Sequence, residues 1–145
     1  MTNEEKYEKY RDEFNKLDDN FKERIEIGRK LLDSVQVDQL KLQLEYGSIY
    51  GKISAFFKNC EVDSEEAYSK AFIDAMSDAY KDRSATEARH HAQSNPDYIN
   101  KKKFENRVFR LKKRVENRVE TIETRKYTLK DLTAAILAGV EKHII

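Results

Sequence analysis

Residues that interrupt helices are scarce in this chain of 145 residues, which contains one proline, four glycines and no tryptophan. Sheet-rich folds need many tight turns, and glycine and proline supply most of them. Charged residues make up 38% of the chain and hydrophobic residues 39%, a balance typical of solvated helices around a modest core. The composition predicts an all-α protein of one domain, residues 1–145. Its long amphipathic helices are expected to form a coiled-coil-like hairpin or bundle.

A lone cysteine, Cys60, excludes an intramolecular disulfide bond and is typical of a reducing compartment. No apolar run approaches the ~20 residues that cross a membrane, and no secretory leader is evident. We therefore expect a cytoplasmic protein without a membrane partner.

Motifs of catalysis are missing as well. The sequence has no Gly-rich phosphate loop, nucleophile elbow or zinc-protease motif. His90 and His91 are adjacent, so they point ~100° apart on a helix and cannot chelate one ion. Asp74, Asp78 and Asp82 form an acidic row that lacks the convergent oxygen ligands of a divalent cation site. We expect no enzymatic activity, catalytic residue, metal site or cofactor.

A seam of mainly apolar residues, spaced alternately by four and three, is typical of a coiled coil. Thr2 followed by Glu5 resembles a capping box, and a pattern this long without internal caps predicts an N-terminal helix over about residues 3–59. Residues 18–20 are one potential interruption, and the sequence leaves open whether the helix runs through them. Because the remaining helices are too few to cover so wide an apolar surface, we expect a homo-oligomer. The seam comprises Phe21, Ile25, Leu32, Val35, Leu42, Tyr46, Ile49, Ile53 and Phe56.

A second apolar strip runs beside the seam and consists of Val37, Leu40, Leu44, Tyr50 and Phe57. Gly47 and Gly51 lie one turn apart in the same helix, where each destabilises it by about 1 kcal/mol relative to alanine. The pair indicates either the close approach of another backbone or a local bend, and the sequence leaves both open.

Capping residues divide the rest of the chain. Asp63 with Glu66 predicts a new helix after Cys60, and Ser84 starts another, which places middle helices at about residues 64–93. Asn95 and the following proline then start a basic helix at about residues 96–126. A break near Tyr127 and a terminal helix at about residues 129–142 complete the chain.

Charges on the basic helix are sorted by side. Residues 101–126 hold eleven Lys or Arg and four Glu, a local net charge of +7 in a chain whose total is +1. At about 100° per residue, most cations fall on one flank of the apolar stripe and the glutamates on the other. We name this basic flank by its members, Lys103, Arg107, Arg110, Arg114, Arg118 and Arg125.

Two interpretations of the basic flank stay open. Its predominant arginines present planar, forked donors that suit phosphate oxygens and base stacking, which favours single-stranded nucleic acid as a partner. The same donors suit carboxylates equally well. The flank is then expected to pair with Asp74, Asp78 and Asp82, without any ligand site.

Residues 122–130, with the sequence IETRKYTLK, resemble the C-terminal signature of phage recombination mediators of the UvsY type. Upstream, residues 50–52 are similar to a Tyr-Tyr-x-Gly-Lys segment of that family. The second tyrosine is absent, and residues 42–45 replace the family's preceding basic residues. The resemblance implies an oligomeric protein that binds single-stranded DNA. It also implies that the protein loads a RecA-like recombinase in place of a single-strand-binding protein.

The sequence thus predicts a non-enzymatic recombination mediator or accessory protein that binds single-stranded DNA through the basic flank. The alternative is a structural or adaptor protein that binds protein partners through its coiled-coil seams.

Overall fold

The computed structural model of the chain describes residues 1–27, 32–77 and 84–144, with residue 32 and residues 140–144 described by backbone alone. All secondary structure in these residues is α-helical, which confirms the prediction of an all-α protein for this part of the chain. The helices are α1 (Asn3–Asp18), α2 (Phe21–Ile25), α3 (Leu32–Met76), α4 (Ala85–Gln93) and α5 (Pro96–Ile144).

The chain forms two compact units. Unit 1 contains Met1–Lys52 and Lys113–Ile145, and unit 2 contains Ile53–Lys112. Helices α1 and α2 therefore belong to unit 1 and α4 belongs to unit 2, whereas α3 and α5 contribute residues to both.

Three of the predicted helix starts are capped as expected. Thr2 Oγ1 accepts a hydrogen bond from the backbone N–H three positions along at 3.1 Å, and Ser84 Oγ does the same at 3.2 Å. Asn95 Oδ1 accepts from the N–H groups of Asp97 and Tyr98 at 3.0 and 3.2 Å. Each cap satisfies N–H groups that have no partner within the first turn.

The helix predicted over about residues 3–59 is interrupted at the point that the sequence left open, because α1 ends at Asp18 and residues 19 and 20 form a turn. It is interrupted again where α2 ends at Ile25, which the sequence did not predict. Tyr46 explains why the end of α1 is tolerated at this point. Its hydroxyl donates to the Leu17 carbonyl at 3.3 Å and to Asp18 Oδ1 at 3.0 Å. Phe14 and Phe21 also pack edge-on against the Tyr46 ring, so residues on both sides of the turn contact α3.

The helix break predicted after Cys60 is also wrong, since α3 continues through Asp63. Cys60, Ser64 and Ala67 are buried at helical spacings, so the stripe that packs into unit 2 does not stop at the predicted cap. Continuing the helix keeps these contacts and every backbone hydrogen bond. Of the middle helices predicted at residues 64–93, residues 78–83 lie outside the described residues, and α4 begins at the predicted Ser84 cap.

In the same way α5 continues through Tyr127, where a break was predicted. Ile122 and Leu129, two turns apart, are both buried on the side that packs into unit 1. The predicted basic and terminal helices are therefore a single helix.

Most of the heptad seam is the core of the chain itself. Its side chains in unit 1 pack against α1, α2 and α5, and Ile25 is half-buried. The side chain of Leu32 lies outside the described residues. Because helices of the same chain cover the seam, self-association through it stays a prediction without structural support. The buried seam residues are Phe21, Val35, Leu42, Tyr46, Ile49, Ile53 and Phe56.

Unit 2 is built around small side chains and one buried carboxylate. Alanines of α3 and α4 are buried, among them Ala71 and Ala88, which allows close helix packing. Glu105 is also buried, and both of its oxygens are satisfied. Ser64 Oγ donates to Oε1 at 2.7 Å, and Lys102 Nζ lies 2.6 Å from Oε2, a contact that raises the pKa of Lys102.

Residues 1–27, 32–77 and 84–144 contain neither a membrane-spanning helix nor a cluster of metal-ligating side chains. No helix there combines the length and the apolar character that a membrane crossing requires. Within the same ranges, no three His, Cys, Asp or Glu side chains converge as they do around a metal ion.

Tyr46 makes the stability of the protein sensitive to alkaline pH. Burial, followed by the hydrogen bond to Asp18, raises the pKa of Tyr46, whereas an unfolded tyrosine titrates near 10. The unfolded chain therefore loses this proton first, and the resulting stabilisation is complete below about pH 9 and declines as the pH rises past about 10. We expect Tyr46→Phe to reduce the free energy of unfolding by about 1 kcal/mol at pH 8. By pH 10.5 the difference from the unmodified protein should shrink by about 0.8 kcal/mol.

Urea titrations at the two pH values measure this difference. Tyr127→Phe is the matched control, because Tyr127 is exposed and should show neither effect. An equal difference at both pH values would contradict the assigned role of the Tyr46 proton.

Candidate nucleic-acid interface on α5

The part of the basic flank in unit 2 lies at the surface. Val108 and Leu111 bury one side of α5 in the core of unit 2. The flank lies beside this buried stripe, where Lys103 and Arg110 are exposed and Arg107 is half-buried. The Arg107 guanidinium carbon lies 5.8 Å from the centroid of the neighbouring Phe104 ring, which restricts the arginine to the surface of the helix.

In unit 1 the flank meets α1. Arg114 is exposed, but its Nη2 donates to Asn15 Oδ1 at 3.3 Å and its guanidinium carbon lies 5.3 Å from the centroid of the Phe14 ring. These contacts hold one side of the guanidinium against α1. Arg114 is therefore partly engaged within unit 1.

Arg118 is paired more completely. Its Nε and Nη2 donate to both carboxylate oxygens of Asp18 at 3.0 to 3.3 Å, and its guanidinium carbon lies 4.2 Å from the centroid of the Phe21 ring. Asp18 also accepts the Tyr46 hydroxyl. The forked pair thus joins α5 to the turn between α1 and α2, and its guanidinium is committed to that turn.

Arg125 is buried, with 6% of its surface exposed. Nη1 donates to Gln39 Oε1 at 2.8 Å and Nε donates to the Ile25 carbonyl at 3.0 Å, while Nη2 reaches the Arg24 carbonyl at 3.3 Å. Burial lowers the pKa of Arg125, and the nearby Asp38 partly offsets this. The guanidinium satisfies the last two carbonyls of α2. The structure therefore does not place Arg125 at the surface, where it was predicted to bind nucleic acid.

The alternative pairing of the flank with the acidic row has no support in the described residues. Asp74 is exposed, and Asp78 and Asp82 lie outside the described residues. The partners of Arg114, Arg118 and Arg125 come from α1, α2 and α3 in unit 1.

Sequence reasoning missed Gln39 and Asp18, the side chains that bind Arg125 and Arg118 in unit 1. Gln39 carried a signal, since it stands at the spacing of the seam between Val35 and Leu42, and a polar residue there has to be paired when buried. Its Nε2 donates to the Ile122 carbonyl at 2.8 Å while its Oε1 accepts from Arg125. Asp18 carried no comparable signal, because an acidic residue at a helix end is ordinary.

Comparisons with protein-family models, with curated proteins and with solved structures found no match to this chain. The resemblance to recombination mediators therefore remains at the level of the short sequence segments.

Removing the Arg125 guanidinium should destabilise the chain strongly. Arg125→Met keeps helix propensity and most of the volume, but leaves Gln39 Oε1 and the Ile25 carbonyl without their donor. Each unsatisfied buried acceptor costs about 1–3 kcal/mol, so we expect the free energy of unfolding to fall by roughly 2–4 kcal/mol.

The matched control is Arg110→Met, the same change at an exposed position of the same helix, which should alter stability by less than about 0.5 kcal/mol. Urea denaturation followed by circular dichroism measures both variants. Equal stability of the two variants would show that the buried network does not stabilise the fold.

Proposed function

We propose that this chain is a non-enzymatic protein that binds single-stranded nucleic acid through Lys103, Arg107 and Arg110. The observation that carries the proposal is the position of these three cations at spacings of four and three on the surface side of α5 in unit 2. Lys103 and Arg110 are exposed and Arg107 is half-buried, whereas Arg118 is paired with Asp18 and Arg125 is buried.

The spacing suits a phosphate backbone. At 1.5 Å per residue the three side chains start about 6 and 4.5 Å apart along the helix axis, so each is positioned to contact a different phosphate. Arginine offers a planar fork to phosphate oxygens, and lysine acts as a point charge. Phosphate contacts position a nucleic acid without reading its bases, so binding is indifferent to sequence.

The resemblance extends the proposal to a biological role. We place the protein among cytoplasmic, phage-type recombination mediators that self-associate on single-stranded DNA. A RecA-like recombinase and a single-strand-binding protein are the proposed protein partners. Residues 122–130 support this role by sequence similarity, although Arg125 within them lies in the interior of unit 1.

A structural or adaptor function is the second candidate. It is favoured by large apolar side chains on the exposed surface of α3 in unit 2, namely Val62, Ile73 and Met76. Exposed apolar side chains that share one side of a helix mark a surface where another protein can dock. In that case the cations of α5 provide solubility and have no nucleic-acid partner.

Salt dependence of DNA binding separates the two functions. With three phosphates neutralised per protomer, the slope of log K against log salt on a single-stranded oligonucleotide should be about −2. Arg107→Gln combined with Arg110→Gln removes two of these contacts, so the slope should flatten to about −0.7 and the affinity should fall on every sequence. Fluorescence anisotropy with labelled oligothymidine and a mixed-sequence oligonucleotide measures both quantities.

Arg118→Gln is the matched control on the same helix. It should lower the melting temperature by breaking the fork with Asp18, yet leave the DNA affinity unchanged. Absence of binding at low salt, or binding that the double variant does not weaken, would favour the adaptor function.

A further inference from the structure

The outward side of α3 in unit 1 is an uncovered apolar ridge. Val37, Leu40 and Leu44 are 51%, 62% and 74% exposed, although they belong to the same helix as the buried seam. Helices α1, α2 and α5 cover the opposite side of α3 and leave this ridge open. These three residues are the exposed members of the second apolar strip, whereas Tyr50 and Phe57 are half-buried.

The ridge is followed along the helix by a recess of small residues, Gly47, Ser48 and Gly51, all of which are exposed. A Cβ atom added at either glycine would meet nothing within 4 Å, so packing within unit 1 does not require glycine there. Glycine inside a helix is unfavourable relative to alanine. Neither glycine ends the helix, because α3 continues through both positions.

The charged residues of α5 beside the ridge also differ from those beside the recess. Beside the ridge, Leu40 lines a groove of about 660 Å³ together with Lys126 and Lys130. Beside the recess, Gly47 lines a smaller cavity together with Glu123. Glu116 lies two turns before Glu123 on the same side of α5. On the side of α5, the ridge is therefore flanked by lysines and the recess by glutamates. These glutamates also pair with lysines of α5 itself, Glu116 with Lys113 at 3.1 Å and Glu123 with Lys126 at 3.5 Å.

From this order we propose that two copies of the chain pair through the outward sides of their α3 helices, antiparallel about a twofold axis near Leu44. This register places Val37 of one copy over Gly51 of the other, and Leu40 over Ser48. The two Leu44 side chains then meet at the axis. Each ridge fills the recess of the other copy, and the lysines of one copy approach the glutamates of the other.

A second copy explains this surface better than an unrelated helix does. A twofold axis requires one patch to be complementary to itself when reversed, and here the side-chain sizes along α3 and the charges on its α5 side change along the same direction. The contact from Val37 to Gly51 is about 21 Å long. A contact of about four helical turns is short beside a standard protein interface, so we expect the dimer to dissociate at micromolar concentrations.

Sedimentation velocity over about 1–100 µM tests the dimer, and three substitutions test its geometry. Leu44→Asp should raise the dissociation constant at least about tenfold, because it places two carboxylates at a desolvated axis. Ile73→Asp, the same type of change at an exposed position of α3 in unit 2, should leave the dissociation constant unchanged.

Gly51→Leu is the sharpest test. The substitution adds apolar surface and improves helix propensity. Nonspecific hydrophobic association would therefore become stronger. In the proposed dimer the leucine instead occupies the recess that receives the ridge of the other copy, so the dissociation constant should rise about tenfold or more. At protein concentrations below the dissociation constant, the melting temperature of this variant should not fall, since the added side chain meets open space. A monomer at every concentration, or a Gly51→Leu variant that dimerises as well as the unmodified protein, would overturn the proposal. The interface lies in unit 1 and the proposed nucleic-acid site in unit 2, so either can fail alone.

Discussion

The buried guanidinium of Arg125 is the interaction on which the packing of unit 1 depends. A desolvated cation is tolerated only when its N–H groups are satisfied, and here α2 supplies two carbonyls while Gln39 of α3 supplies an amide oxygen. Gln39 in turn donates to the Ile122 carbonyl of α5. Three helices thus meet at directional bonds, which set their register more narrowly than apolar contacts alone can.

The basic flank of α5 lies in different surroundings in the two units. In unit 1, Arg118 and Arg125 bind a carboxylate, an amide and backbone carbonyls at the ends of α1 and α2. In unit 2, Lys103 and Arg110 remain exposed to solvent. The periodicity of α5 is unchanged between these sections. Only the neighbouring elements differ, and they determine whether a cation stabilises the fold or is available to an anionic ligand.

Helix α3 also carries two apolar surfaces, one buried and one exposed. The heptad seam is covered by the chain itself, so a charge introduced at Leu42 or Ile49 would disrupt folding rather than assembly. The outward ridge at Val37, Leu40 and Leu44 is left exposed, and a Cβ atom added at Gly47 or Gly51 beside it would meet nothing within 4 Å. Burial separates the residues of α3 that form the core from those that the chain leaves at its surface.

The sequence by itself determined the class of fold, the caps at Thr2, Ser84 and Asn95, and the apolar stripes. These features depend on local hydrogen bonding and helical periodicity, which neighbouring residues specify. Only the tertiary structure decided where helices end, because Tyr46 satisfies the carbonyl at the end of α1, whereas buried Ser64 and Leu129 carry α3 and α5 past the predicted breaks. It likewise decided which side chains cover the seam and which arginines are buried. Periodicity assigns a residue to a side of a helix, but the partner on that side comes from elsewhere in the chain.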